Sequence, residues 1–184
     1  REQTKKRNKL LYQSEHDELT GLYNKRSLNR YLEDVFEACK LNEKELGILF
    51  LDIDYFKQLN DRYGHGKGDE GICAVADALK KIFPEDYVAR YGGDEFLVVM
   101  PERDLVYAME HAKLLCADIR KCKIPNEDSG VEPWLTISVG GVCAIPREPK
   151  RVWDFLSAAD NTLYEQKKEQ KGKVRFYQGE GKYL

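Results

Sequence analysis

A chain of 184 residues with 42% apolar side chains can build one packed domain and is short for two. Charged residues reach 34%, yet 30 basic and 32 acidic side chains nearly cancel to a net charge of −2, which argues against a general nucleic-acid binder held by phosphate neutralisation. Cys39, Cys73, Cys116, Cys122 and Cys143 are odd in number, scattered and mostly set among apolar neighbours, so reduced, buried thiols in a cytoplasmic setting are expected. Cys116 and Cys122 form the only near pair and lack both zinc-ligand spacing and a neighbouring histidine. The longest apolar stretches, Gly47 to Leu51, Phe96 to Met100 and Ile137 to Ile145, are far too short to span a membrane, and no signal peptide opens the chain. A soluble cytoplasmic domain without direct membrane contact is expected, whether or not its parent protein is anchored.

Arg1 to Lys9 holds five basic side chains and one acid, contains no Gly or Pro, and runs helically into Leu10, Leu11 and Tyr12. Residues 1–16 therefore read as a helical stub continuing an upstream signalling helix, and residues 17–184 as the domain proper. Thr20 to Asn24 is a turn with Asn24 placed as an N-cap. Leu28, Tyr31, Leu32, Val35, Phe36 and Cys39 then form one stripe of an amphipathic helix. Leu46 to Ile53 is a continuous apolar run ending in Asp52 and Asp54, which predicts a buried central strand. The polar, glycine-rich segment Asn60 to Gly68 separates it from a second helical stripe, Ile72, Val75, Ala76, Leu79 and Ile82. Tyr87 to Tyr91 and Phe96 to Met100 are short strands joined by Gly92-Gly93-Asp94-Glu95 as a hairpin. A third helix over Leu105 to Ile119, a strand over Trp134 to Ile145, a last long helix from Val152 and a final strand at Val174 to Tyr177 complete the pattern. Pro125 to Pro133 and Pro146 to Pro149 are the expected loops.

One hairpin among helical crossovers predicts an α/β (α+β) fold with a mixed sheet and helices packed on it, rather than an all-parallel wound sheet.

Asp52 and Asp54, two apart on a strand, should point to one face at the place where the strand leaves the sheet. Adjacent carboxylates repel unless a cation neutralises them, and hard oxygen ligands of this kind suit Mg²⁺ completed by water and phosphate oxygens. Asp94 and Glu95 add a second acidic pair, and Gly92-Gly93 permits close backbone approach. Two acidic clusters converge if the hairpin neighbours the strand ending at Asp52. Three glycines in five residues beside Lys57 and Lys67, ahead of a helix, can cradle phosphate, although the P-loop and dinucleotide-binding spacings are both absent. Asn60 and Asp69 offer an amide and a carboxylate, and a carboxylate accepting two N–H bonds matches the donor edge of guanine. Lys167 and Lys171, four apart, are read onto one helical face, fit either for a polyphosphate or for solvent.

In combination these residues resemble the GGDEF family, the diguanylate cyclases. The resemblance rests on Arg90-Tyr91-Gly92-Gly93-Asp94-Glu95-Phe96, on Asp17-Glu18-Leu19-Thr20-Gly21-Leu22-Tyr23-Asn24-Lys25-Arg26, on Asp52-Ile53-Asp54-Tyr55-Phe56-Lys57 through Asn60-Asp61 to Gly64-His65 and Gly68-Asp69, and on Ala159-Asp160 with Leu163-Tyr164 and Lys167. It covers roughly residues 17–178. It implies a sheet of about five strands flanked by helices, similar to the palm of nucleotidyl cyclases and polymerases. The implied reaction condenses two GTP molecules into cyclic di-GMP with loss of two pyrophosphates. By position, Asp52, the Ile53 carbonyl and Asp94 would bind Mg²⁺, or Mn²⁺ in its place. Asp94 would also be the base for the 3′-hydroxyl, and Glu95 would support the metal and loop. Lys57 would meet the phosphates with the Phe56 backbone N–H. Asn60 and Asp69 would read guanine, His65 would lie near the nucleotide, and Lys167 and Lys171 would hold the terminal phosphates.

One site takes one GTP, so a homodimer is the implied catalytic unit, brought together by an upstream sensor segment. Two departures stand out. The Arg-x-x-Asp product-inhibition motif of many relatives reads Phe83-Pro84-Glu85-Asp86, so the primary inhibitory site is expected to be absent or crippled. The usual Gly-Arg-Asn after the late lysine reads Gln170-Lys171-Gly172, which keeps a charge and loses a bidentate fork. The alternative activities are a catalytically silent GTP-binding or dimerisation module regulating an attached domain, and a polymerase-like nucleotidyl transferase, for which the net charge supplies no nucleic-acid track.

Overall fold

The apolar run at residues 46–53 becomes the middle of the sheet because it has no polar face to offer to water. In a computed structural model, which describes residues 2–147, 150–179 and 182–183, it forms β1 (Leu46–Ile53). The hairpin supplies β2 (Tyr87–Arg90) and β3 (Glu95–Pro101), followed by β4 (Ile137–Ala144), β5 (Val174–Gly179) and β6 (Lys182–Tyr183). These strands form one sheet in the order β2-β3-β1-β4-β5-β6. Only β4 and β5 run parallel; the other neighbours are antiparallel. The expected mixed sheet is present. The two-residue β6 at its edge is too short to leave a periodic signal.

Helices α2 (Lys25–Leu41), α3 (Phe56–Tyr63), α4 (His65–Ile82), α5 (Leu105–Lys121) and α6 (Val152–Glu169) pack around the sheet, whereas the preceding α1 (Glu2–Glu15) adds no described residue to the core. Alternation along β1 divides the core. Ile48 and Phe50 pack with Leu28, Leu32 and Phe36 of α2 and Phe155 and Leu163 of α6. Leu49, Leu51 and Ile53 pack with Ile72, Val75 and Leu79 of α4 and Ala112, Leu115 and Ile119 of α5. Asn24 caps α2 as expected, its side chain accepting from the Ser27 N–H.

Several boundaries differ from the sequence reading. The segment between β1 and α4 contains α3, an eight-residue helix whose apolar positions Phe56, Leu59 and Tyr63 are too few to stand out. The glycine-rich stretch from His65 is the first turn of α4 rather than a loop. The fourth strand begins at Ile137, since Trp134 only bridges back to Pro125 across the expected loop. The expected loop from Pro146 to Pro149 lies partly outside the described residues. All five cysteines are free; Cys39 and Cys116 are buried, whereas Cys122 is exposed, against expectation, because it caps the surface end of α5. No helix among the described residues is long and apolar enough to cross a membrane.

Candidate active site

The two acidic blocks meet because β1 and β3 are hydrogen-bonded neighbours. Asp52 lies opposite Glu95 in the register, and the Ile53 N–H donates to the Asp94 carbonyl at 3.2 Å. The turn between β2 and β3 closes on Glu95, whose carbonyl accepts from the Tyr91 and Gly92 N–H groups at 2.8 and 3.2 Å. Glu95 therefore belongs to the first position of a strand, not to the turn itself. From the opposite side, α6 delivers Lys167, whose ammonium donates to Asp52 Oδ2 at 2.9 Å.

The electrostatics of this corner are those of crowded carboxylates. Burial, and then the charge of Asp52, push the Asp94 carboxyl above the ordinary carboxylate range. Glu95 is raised by burial and by Asp52, Asp94 and Asp160, with Lys167 opposing. Such a cluster is relieved by a divalent cation. Among the described residues no three His, Cys, Asp or Glu side chains form a ready cage for a metal. Mg²⁺ does not need one, since it commonly takes one or two carboxylates and completes its shell with water and phosphate oxygens. The donor set of Asp52 and Asp94 fits that requirement.

Asp54 does not join the pair. β1 ends at Ile53 and the chain turns through Tyr55 at φ 53°, so the same-face rule for a strand no longer applies. Asp54 is fully buried, accepting from Ser138 Oγ at 2.6 Å and Thr136 Oγ1 at 2.7 Å. Its carboxyl is pushed up, chiefly by burial. It is an internal tie between the end of β1 and β4.

Beside the acidic corner, α3 begins at Phe56 with no side chain capping its first turn, leaving the N–H groups of Phe56 and exposed Lys57 facing outward at the positive end of the helix. Asn60, one turn on, has a buried Oδ1 with no hydrogen-bond partner. That oxygen points at Gly68, where a Cβ would lie 1.9 Å away, so any side chain at residue 68 would displace the Asn60 amide. Asp69, exposed and next in sequence, is thereby brought to the same α3–α4 junction as Asn60. His65 is the exposed first residue of α4, and Lys67 is paired with Glu70 at 2.6 Å.

Lys171 departs from the reading that put it on one helical face with Lys167. α6 ends at Glu169, and Lys171 follows its C-cap residue, Gln170. The Lys171 ammonium instead sits over the Tyr55 ring, 4.2 Å from its centroid. The two lysines therefore flank the end of β1 from different directions.

Arg90, at the end of β2, braces the acidic turn from outside the carboxylate cluster. Its Nη1 contacts the two Asp17 carboxylate oxygens at 3.1 and 3.2 Å, while Nε and Nη2 reach the Gly93 carbonyl at 3.1 and 2.7 Å. One guanidinium thus ties the acidic turn to the segment leaving α1. Burial raises the Asp17 carboxyl, but hydrogen bonds from Thr20 and the Arg90 charge outweigh it and hold it below the ordinary value. An arginine two positions before paired glycines, with an Asp-x-x-Thr turn far upstream, is the signal available in sequence.

At the segment expected to lack an inhibitory site, Phe83 is buried in the core. The Asp86 carboxylate accepts from Tyr107 Oη at 2.7 Å, and Glu85 pairs with Arg103 at 2.8 Å. No arginine side chain comes from residues 83–86, and the acids are engaged internally.

The family model described as "Diguanylate cyclase, GGDEF domain" matches residues 14–173. The chain is 31% identical over 162 residues to the probable diguanylate cyclase DgcC of Escherichia coli K12, covering 87% of this chain and 42% of that protein. It is 32% identical over 163 residues to the cyclic di-GMP phosphodiesterase NbdA of Pseudomonas aeruginosa, covering 88% of this chain and 20% of that protein. The chain thus spans less than half the length of these relatives. In fold it resembles the coiled coil and GGDEF domain of DgcB from Caulobacter crescentus, determined in complex with c-di-GMP, with a TM-score of 0.86 at 23% identity over 96% of this chain and 92% of that one. The match across most of the chain, on an architecture that joins Asp52 to the Asp94 turn, places it: the chain belongs to the diguanylate cyclase GGDEF domain family.

Proposed function

We propose that the chain is a diguanylate cyclase half-site that binds one GTP and, facing a second copy, condenses two GTP into cyclic di-GMP with release of two pyrophosphates. The observation that carries this reading is the register that sets Asp52 opposite Glu95 and ties Ile53 to Asp94. Asp52, the Ile53 carbonyl and Asp94 would hold the metal, Mg²⁺ or Mn²⁺. When bound, it neutralises the carboxylate cluster and supplies Lewis-acid stabilisation of phosphate oxygens.

Asp94 accepts the proton of the 3′-hydroxyl as that oxygen attacks the α-phosphorus of the facing GTP. The bond to the β-phosphate breaks, and pyrophosphate leaves. Glu95 supports the turn and the metal. Lys57 and the Phe56 N–H meet the phosphates at the start of α3, and Lys167 and Lys171 hold the terminal phosphates. Asp69 accepts from the guanine N–H edge, Asn60 completes that recognition, and His65 lies beside the nucleotide.

One chain presents one such site, so catalysis requires a homodimer. In this reading residues 1–16 form a helical stub that brings two copies together, and residues 17–184 form the catalytic domain. The stacking of Tyr12 on His16 and of His16 on Tyr23, with ring centroids 4.0 and 4.5 Å apart, seats that helix on the domain. Pyrophosphate release from GTP tests the proposal. It is expected from an artificially dimerised chain and absent after Asp94→Asn; equal release by the variant contradicts the assignment.

A further inference from the structure

Lys171 lies beyond its helix, so α6 does not place it; contacts with other elements do. Its neighbour Gly172, at φ +75°, donates its N–H to Ser138 Oγ at 3.0 Å and accepts from Arg120 Nη2 at 2.6 Å through its carbonyl. Ser138 is held by Asp54 at 2.6 Å, and Arg120 Nε by Glu132 at 2.7 Å. The backbone is therefore pinned on one side of Lys171, in a conformation that suits glycine. The side chain itself remains a flexible stem with a point charge, without the planar fork by which an arginine organises its own contacts. Something outside the residue has to fix the ammonium.

Tyr55 is built to do so. It links β1 to α3 in the left-handed region, at φ 53° and ψ 37°, and its ring lies under Lys171 Nζ at 4.2 Å. Its hydroxyl occupies the space that a side chain at residue 130 would need, since a Cβ on Gly130 would come within 2.5 Å of it. The same residue thus presents the uncapped N-terminus of α3 and a ring face that attracts a cation. We propose that Tyr55 is a positioning residue that holds the Lys171 ammonium beside the start of α3, preorganising a phosphate clamp from two separate segments. The inference rests on the nucleotide reading above and adds to it the residue that makes a lysine effective at this position.

The test is a cycle of Tyr55→Leu, Tyr55→Phe, Lys171→Met and the Tyr55→Leu/Lys171→Met double variant in the dimerised chain. Tyr55→Leu is expected to raise KM for GTP about fivefold with kcat nearly unchanged. Tyr55→Phe, which keeps the ring, is expected to restore the wild-type KM. In the Lys171→Met background, Tyr55→Leu should have no further effect. An equal loss in that background, or a Tyr55→Phe variant as impaired as Tyr55→Leu, overturns the inference. A nucleotide-free readout separates it from the functional reading. The Lys171 side-chain methylene protons should be shifted upfield by the ring in wild type and Tyr55→Phe, and not in Tyr55→Leu. Unshifted resonances in the wild type overturn the positioning role, whereas shifted resonances in a chain that binds no GTP count against the nucleotide reading alone.

Discussion

Lys167 donates to Asp52 at 2.9 Å, joining the last turn of α6 to the last residues of β1 across 115 positions of sequence. The pair is partly sheltered, with side-chain exposures of 29% and 15%. Lys167 thus neutralises part of the acidic corner, and in the proposed reaction a metal would compete for Asp52 and a phosphate for Lys167. Lys167→Met is expected to weaken GTP binding by about tenfold or more, the value of a lost charge-assisted contact. It should also cost about 1 kcal/mol of stability, because Asp52 is left beside Asp94 and Glu95 without its partner. Titration calorimetry and urea unfolding measure the two effects separately.

Asp94 shows the trade between function and stability. Its folded-state pKa is raised, first by burial and then by Asp52, so the ionised form is penalised by folding. Its contribution to stability is therefore fully present below the ordinary carboxylate pKa and is lost as pH rises through the raised value. At neutral pH, without metal, Asp94→Asn is expected to unfold at higher denaturant than the wild type. The advantage should shrink as pH falls toward about 4. Added Mg²⁺ should stabilise the wild type and have little effect on the variant. Unfolding midpoints across pH, with and without Mg²⁺, check all three expectations.

Gly68→Ala separates folding from base recognition. A Cβ there would meet Asn60 Oδ1 at 1.9 Å and the Phe56 ring at 3.2 Å, and the Asn60 amide can rotate away. Alanine is a better helix former than glycine by up to about 1 kcal/mol, so the fold is expected to survive with a small net change. Displacement of Asn60 should nevertheless cost guanine recognition. The ratio of GTP to ATP affinity should fall about tenfold or more while the thermal midpoint moves by only a few degrees.

The Asp17–Arg90 tie gives a pH dependence of the opposite sign. The Asp17 carboxyl is held below its ordinary value, with the Thr20 and Arg90 contacts outweighing burial, so its contribution is present above the unfolded-state pKa and is lost as pH falls through the folded one. Asp17→Asn is expected to be less stable than the wild type at neutral pH. The two unfolding curves should converge as pH drops below about 4. A gap that is unchanged down to the acid transition would contradict the assignment.

Much of the frame was legible because strong patterns and strong burial coincide. β1 has no polar residue before Asp52, and only a strand covered on both faces accommodates that composition. The acidic convergence was conditional in sequence, since no pattern within either block specifies which strands pair. The β1–β3 register supplied it. Asp54 and Lys171 were misplaced for one reason: each lies just past the end of its element, where strand and helix periodicity cease to predict direction. α3 escaped because eight residues carry too little periodicity. The role of Arg90 depends on a contact with a residue 73 positions away, which local reading cannot see.

Product analysis distinguishes a cyclase from a silent nucleotide-binding domain. The chain, concentrated or artificially dimerised, is incubated with GTP and Mg²⁺ and the products are separated. Cyclic di-GMP is expected with two pyrophosphates per molecule formed, and neither product from Asp94→Ala. A sample that binds GTP tightly yet forms no cyclic di-GMP would contradict that expectation and identify the chain as a silent nucleotide-binding module.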